Sequence, residues 1–269
     1  RFIQAAGPFT LEPGDFNNIT VGVVWARASA GDPFASVELM RIADDKAQAL
    51  FDNCFEIVSG PDAPDVTIQE LDKELILYLT NDNPISNNFQ EQYTKFDPGV
   101  PEYNSSNELL DSLSRSYVFQ GYQIYQLRNS EVGPDELNNV EAARLIAQVD
   151  VQDDIDLIVN FDQDPTMGLP VPSLMVNGEN EGVRHSFQVQ NDAFAQGDNR
   201  LVNYKTYYFM AIAYGYNQYE PYDPVLLTGQ SKQYLASRKA AVGSIRTYSG
   251  SPHPPVTEAG GTIEAAAYG

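Results

Sequence analysis

Histidine, cysteine and basic residues are all scarce in this chain, and each scarcity removes a class of chemistry. Two histidines, His185 and His253, in 269 residues leave little material for a His-based triad or a His-rich metal centre. The single Cys54 excludes an intramolecular disulfide framework. Its apolar neighbours at helical spacing make it a small buried hydrophobe rather than a nucleophile. Lys and Arg number 16 against 37 Asp and Glu, a net charge of −21. So acidic a surface repels phosphate backbones and anionic lipid, and no nucleic-acid partner or membrane insertion is expected. No apolar run approaches the ~20 residues that span a bilayer. Nor does the sequence contain G-x-G-x-x-G after a strand, G-x-x-x-x-G-K-[ST], H-E-x-x-H or G-x-S-x-G, so the expectation is a protein that is not an enzyme. The chain opens on Arg1-Phe2-Ile3-Gln4, without an initiating Met or a signal-peptide pattern, which reads as a processed or excised segment.

What is plentiful is β-forming and turn-forming sequence. Ile19 to Ala26 is rich in β-branched and aromatic residues and predicts an N-terminal strand. Asp32-Pro33 then supplies an N-cap and a first-turn proline. Val37, Met40, Ala43, Ala47, Leu50 and Cys54 recur every three or four residues, predicting one amphipathic helix over about 33–55. Ser59-Gly60-Pro61-Asp62-Ala63-Pro64 is a breaker that separates a first region, 1–58, from the remainder of the chain.

Beyond it, Val66-Thr67-Ile68, Glu74 to Thr80, Tyr117 to Leu127, Ala143 to Val149, Leu157 to Val159, Phe187 to Val189 and Thr206 to Tyr214 read as strands. They are separated by Gly, Asn, Asp and Pro clusters with no helix between them. That pattern predicts a mostly β fold, an antiparallel β-sandwich over 62–230, with insertions at about 81–116 and 160–185. Tyr93, Phe96 and Tyr103 are the candidate anchors of the first insertion. The last region, 231–269, reads as an extended tail with a short helical stretch from Tyr234 to Ala241.

Several constellations could carry binding. Asp150, Asp153, Asp154 and Asp156, with Asp162 and Asp164 further on, present the hard oxygens that calcium requires. The glycine and closing glutamate of an EF-hand are missing, and solvated turn acids are the plainer reading. Tyr214, Tyr216, Tyr219 and Tyr222 cluster with Asn217, Gln218 and Asp223, as on protein- or carbohydrate-recognition faces or as loop anchors. A glycosidase carboxylate pair has no marker among 37 acids.

Two resemblances go beyond these patterns. Leu201, Tyr207 six residues later and Ala213 six further resemble the F strand of fibronectin type III domains. That resemblance implies that Tyr207 packs in the sandwich while its hydroxyl bonds the loop backbone. The family's Pro-Gly is replaced by Asn203-Tyr204, and Leu79 stands where a core Trp is usual. The segments Gly7 to Gly14, Ile19 to Arg27, Asp44 to Phe55, Phe119 to Tyr125 and Ala213 to Asn217 are together similar to large secreted Bacteroidetes surface proteins. Many of those are exported by the type IX secretion system and carry fibronectin-like modules. The resemblance implies an extracellular, surface-exposed structural or adhesive module, acting with other domains of its chain and with a protein or carbohydrate partner. In this frame 1–58 would end a preceding sandwich. Asp111-Ser112-Leu113 matches the short O-glycosylation pattern of that lineage, with Ser112 as acceptor. The alternatives are an accessory domain of a secreted protease or glycosidase, or a subunit of an extracellular assembly joined through an edge strand.

Overall fold

The computed structural model describes residues 58–164 and 169–254, with shorter stretches nearer the N-terminus (10, 13, 22–27 and parts of 34–47). The chain divides into two compact units, one before Val58 and one from Val58 onward. In the first, residues 34–37, 40, 41, 43, 44 and 47 are helical, as the apolar spacing predicts. Val37 and Met40, expected on the buried face, are exposed. Residues 22–27 carry no strand, and Val23 and Trp25 lie in the open at 91% and 79% exposure. β-propensity makes a strand only where a neighbour completes the ladder, and none of the described residues pairs with this segment. Ile19 to Val21, Leu50 and Cys54 lie outside the described residues.

The described residues of the second unit form eleven strands: β1 Asp65–Leu71, β2 Glu74–Thr80, β3 Thr94–Phe96, β4 Ser116–Leu127, β5 Ala143–Asp150, β6 Leu157–Gln163, β7 Pro170–Asn177, β8 Ser186–Val189, β9 Tyr207–Tyr216, β10 Tyr234–Ala236 and β11 Tyr248–Gly250. Every pairing among them is antiparallel. β1, β2 and β8 form one sheet in that order. A second sheet runs β5-β4-β9, with β10 and β11 sharing the far edge of β9 and β3 lying beside the start of β4. β6 and β7 make a separate hairpin.

Alternation on the strands puts one apolar set from each sheet into a shared core. Leu75, Leu77 and Leu79 of β2 and Phe187 and Val189 of β8 meet Tyr122 and Ile124 of β4 and Tyr207, Phe209, Ala211 and Ala213 of β9. The period-2 pattern in β2, β4 and β9 therefore specifies a sandwich. Leu201 joins the same core, and the Val202 N–H donates to the Tyr207 hydroxyl at 2.9 Å, tying the loop to the base of β9.

β4 and β9 are covered on their other faces as well. Near one end Leu127, Ala143, Met210, Ile212 and Ile245 form a second apolar cluster; near the other, Tyr214 and Tyr234 pack with Ile158 and Val176 of the hairpin. Two ladder irregularities make this possible. The β4–β9 register shifts between Phe119 and Gly121, and the β4–β5 register shifts between Ile124 and Tyr125. The first, a bulge at Gln120, keeps Phe119 on the core face with Tyr122 and Ile124. A Cβ at Gly121 would sit 2.1 Å from the Val149 carbonyl oxygen, so only glycine allows β5 this close.

The described residues of both insertions are built into defined turns and strands, and the described part of the tail joins the sheet. In 81–116, Tyr93 is the anchor: it is buried, and its hydroxyl donates to the Ser59 carbonyl at 2.6 Å. Phe96 and Tyr103 stay exposed. The 160–185 insertion belongs largely to the β6–β7 hairpin. The expected helix over Tyr234 to Ala241 is corrected: 234–236 pair with β9, and 248–250 do so further along. A short apolar run fits either period, and here the open edge of β9 offers backbone partners that a one-turn helix would forgo.

The core can be tested in two ways. Tyr207→Phe removes the acceptor of the Val202 N–H and is expected to lower unfolding free energy by about 1–2 kcal/mol in urea titrations. Burial pushes the phenols of Tyr93, Tyr117, Tyr122, Tyr214 and Tyr234 well above their ordinary value. Negative charge adds to the rise, from Glu91 at Tyr122 and from Asp150 and Asp153 at Tyr214. Above pH ~10 the unfolded chain therefore releases protons that the native state retains, and stability falls by about 1.4 kcal/mol per pH unit for each such tyrosine. The tyrosinate absorbance that these five contribute is expected to rise together with the loss of β-sheet circular dichroism, not ahead of it.

Candidate interaction surfaces

Of the acidic constellation, the structure brings 150–156 together as a loop and commits the carboxylates of Asp150 and Asp153 to protein donors. Asp150 ends β5 and is buried; both its oxygens accept the Asn180 N–H at 3.1 Å. A Cβ at Gly178 would lie 2.1 Å from an Asp150 oxygen, so glycine is what lets the carboxylate reach the β7–β8 connection. Asp153 accepts from Gln120 Nε2 at 2.9 and 3.0 Å and from the Ile155 N–H. The Asn180 side chain returns the contact, its Oδ1 accepting the Asp153 and Asp154 N–H groups. Asp154 adopts a left-handed φ of 66°, and the Asp156 carbonyl accepts the Gly178 N–H. Asp162 lies on β6, paired with Lys232, and Asp164 follows that strand, apart from the first group. Among the described residues, no three His, Cys, Asp or Glu converge as a metal would need. The run acts as a staple between β5 and the β7–β8 connection.

The tyrosine cluster divides. Tyr214 is fully buried: its ring packs on Tyr234 at 5.3 Å and its hydroxyl donates to the Val149 carbonyl at 3.2 Å. Its place on a ligand face is corrected, because its parity along β9 points it at the hairpin. Tyr216, Tyr219 and Tyr222 are half-buried. Tyr216 donates to Gln218, and Tyr222 packs on Phe161 at 4.7 Å. Ser112 is exposed in a turn in which Asp111 accepts the Ser114 N–H at 2.7 Å.

Two arrangements have no marker in the sequence. The first is a relay at one end of the sandwich. Tyr122 donates to Glu91 at 2.8 Å, Asn81 donates to the Tyr122 hydroxyl, and His185 Nε2 lies 2.5 Å from the same Glu91 oxygen. Gln90 and Glu91 both have left-handed φ, 51° and 62°. That turn is what brings a residue from one insertion against the end of another, and no local pattern announces it.

The second is a cleft of about 810 Å³ between the two sheets, where β5 faces β8. Among the described residues each of these strands pairs on one side only, β5 with β4 and β8 with β2. Ile146, Ala147, Phe187 and Val189 give it an apolar lining, and Gln188, Gln190 and Asn191 an amide one. Its charged residues are Arg184 and Asp192. Asp192 is buried and already engaged: Gln126 Nε2 at 2.7 Å, the Phe194 N–H at 2.9 Å and Lys205 Nζ at 2.7 Å all donate to it. Burial alone would push its carboxyl up; the Lys205 and backbone hydrogen bonds outweigh that and hold it below the usual range. What the cleft offers an incoming molecule is two strand edges and apolar area, not an acid–base pair.

The chain matches no family model, no curated protein and no solved structure. Its function is therefore inferred from its own geometry.

The staple has a direct test. Asp150→Asn weakens both contacts to the Asn180 N–H and is expected to lower stability by about 1–2 kcal/mol. With Asp150 and Asp153 already bonded and no three acids converging among the described residues, the expected melting temperature in millimolar calcium equals that in chelator. A rise in calcium that Asp153→Asn abolishes would place a cation in this loop.

Proposed function

We propose that this chain is a non-catalytic binding and spacing module of a secreted, surface-exposed bacterial protein, with a sandwich of the fibronectin type III kind. The observation that carries the reading is where the chain enters and leaves the sandwich. β1 and β11 run side by side in the same direction: Arg246 and Tyr248 reach Asp65 at the start of β1, and the His253 N–H donates to Leu71 at its end. The chain thus enters at one pole and leaves at the other, which suits a module strung in series with further domains. The three-plus-four strand order, β1-β2-β8 facing β5-β4-β9-β11, and the tied Tyr207 hydroxyl support the fibronectin type III assignment. Calcium has no role in this reading.

A second reading, a subunit of an extracellular assembly, is favoured by the β5–β8 cleft. A strand edge on each side is what an added strand needs.

The test of the non-catalytic reading is a panel of α- and β-linked polysaccharides followed by reducing-end release, since an acid pair is the hydrolytic device this composition least excludes. No turnover is expected. Turnover that disappears when a single Asp or Glu becomes its amide would overturn the reading.

A further inference from the structure

The connection from β9 to β10 carries three consecutive aliphatic side chains into solvent. Val225, Leu226 and Leu227 are 86%, 70% and 51% exposed. Nothing in their sequence position requires this, because a connection of this length could be polar throughout. The tip is also firmly built. Asp223 Oδ1 accepts the Val225 and Leu226 N–H groups at 2.8 and 3.1 Å, and the Asp223 N–H donates to the Thr228 carbonyl at 2.9 Å. Below it the Gln230 N–H donates to the Glu220 carbonyl, and Tyr222 packs on Phe161. At Gly229 φ is +86°, and a Cβ would meet the Pro221 carbonyl oxygen at 2.2 Å.

Leu227 itself has a φ of 56°, a left-handed conformation that a leucine adopts only against steric resistance. Glycine or asparagine would suit that position without strain. The fold therefore holds an aliphatic side chain outward, in a strained backbone, on a braced post. Strain retained at an exposed apolar residue points to a binding role for the side chain.

A second loop extends the surface. Residues 102–110 close on themselves through the Leu110 N–H to Glu102 and a Tyr103–Leu109 bridge. Ser105 fastens this loop to Glu220 through its N–H at 3.3 Å and its hydroxyl. Tyr103 and Leu109 are exposed too. The two segments that carry these five apolar side chains, 97–116 and 217–232, hold six acids (Asp97, Glu102, Glu108, Asp111, Glu220, Asp223) and two bases (Arg115, Lys232). Lys232 is paired with Asp162, and the Arg115 guanidinium is held by the Val100 carbonyl and the Phe96 ring.

We infer that this end of the sandwich is a docking surface for a partner protein that presents an apolar groove with a cationic rim. The acidic excess of the two segments beside an aliphatic tip selects that chemistry by charge complementarity. The same excess, on a chain of net charge −21, disfavours a second copy and an anionic bilayer. The inference rests on the binding role proposed above and names the partner class for it.

The test uses the full chain and synthetic peptides as probes, read by fluorescence anisotropy at physiological salt. The probes are an amphipathic Leu/Lys helix, a Leu/Glu helix of the same pattern, and a Ser/Lys peptide of the Leu/Lys charge. The Leu/Lys helix is expected to bind about tenfold or more tightly than either control. In the triple variant V225S/L226S/L227S that affinity is expected to fall about tenfold, with an unchanged melting temperature because the side chains are exposed. Leu227→Gly, which relieves the strained backbone, is expected to melt at the same temperature or higher while also binding more weakly.

Equal binding of the Ser/Lys peptide, or unchanged binding by the triple variant, would reduce the effect to bulk charge and overturn the inference. It would also fail if the triple variant lost several degrees of melting temperature, since the tip would then be packing within the chain. Loop-dependent binding to zwitterionic phosphatidylcholine vesicles, or loop-dependent self-association in light scattering, would replace the protein partner with a lipid or a second copy. Polysaccharide turnover is read separately, so failure of the non-catalytic reading and failure of this one are distinguishable.

Discussion

The sandwich is organised around one buried amide. Gln123 sits in the middle of β4, almost without solvent contact, and uses both ends of its side chain twice. Its Nε2 donates to Gln148 of β5 and to the Met175 carbonyl of the β6–β7 hairpin, both at 2.9 Å. Its Oε1 accepts the hydroxyls of Tyr234 of β10 and Tyr125 of β4, at 2.7 and 3.2 Å. One side chain thus links the edge of the large sheet, the hairpin and the strand that closes the tail. An amide in this position has no slack: its two donors and its acceptor oxygen are all satisfied, and loss of the side chain would leave four groups, that of buried Tyr234 among them, without this partner.

That arrangement explains why so polar a chain has so continuous a centre. β4 and β9 are covered on both faces, a situation more often met with uninterrupted aliphatic strands. Here Gln120, Gln123 and Gln126 interrupt β4, and each is matched to a specific partner: Asp153, the Gln123 set, and Asp192 with the Ala193 N–H. Tyrosine plays the complementary part. Rings fill the interior while hydroxyls reach backbone carbonyls at Ser59, Val149 and Lys232. The interior is specified by geometry of hydrogen bonding as much as by volume.

Legibility in the sequence follows the range of the interactions. The core strands are readable because alternation in Glu74 to Thr80, Tyr117 to Leu127 and Thr206 to Tyr214 depends only on neighbours two residues apart. Tyr207 is readable because its acceptor role lies five residues from its donor, Val202. The tail misleads because the partner of Tyr234 to Ala236 is β9, whose open edge no local pattern reveals. Tyr214 misleads for a related reason: the hairpin that buries it is contributed by residues more than 35 positions earlier. The acids of 150–156 are visible as acids, but the bonding of Asp150 and Asp153 to Asn180 and Gln120 is tertiary. The exposed tip at Val225 to Leu227 has no sequence signature at all, because three apolar residues in a row look the same in a core as in solvent.

The side-by-side course of β1 and β11 has a mechanical meaning. When flanking segments are pulled apart along the long axis of the sandwich, the load falls on these two strands as shear. The contacts between them, from Asp65 with Arg246 to Leu71 with His253, then bear the force in parallel. A peeling geometry would break them one after another. Shear across β1 and β11 therefore resists such a pull better than peeling would.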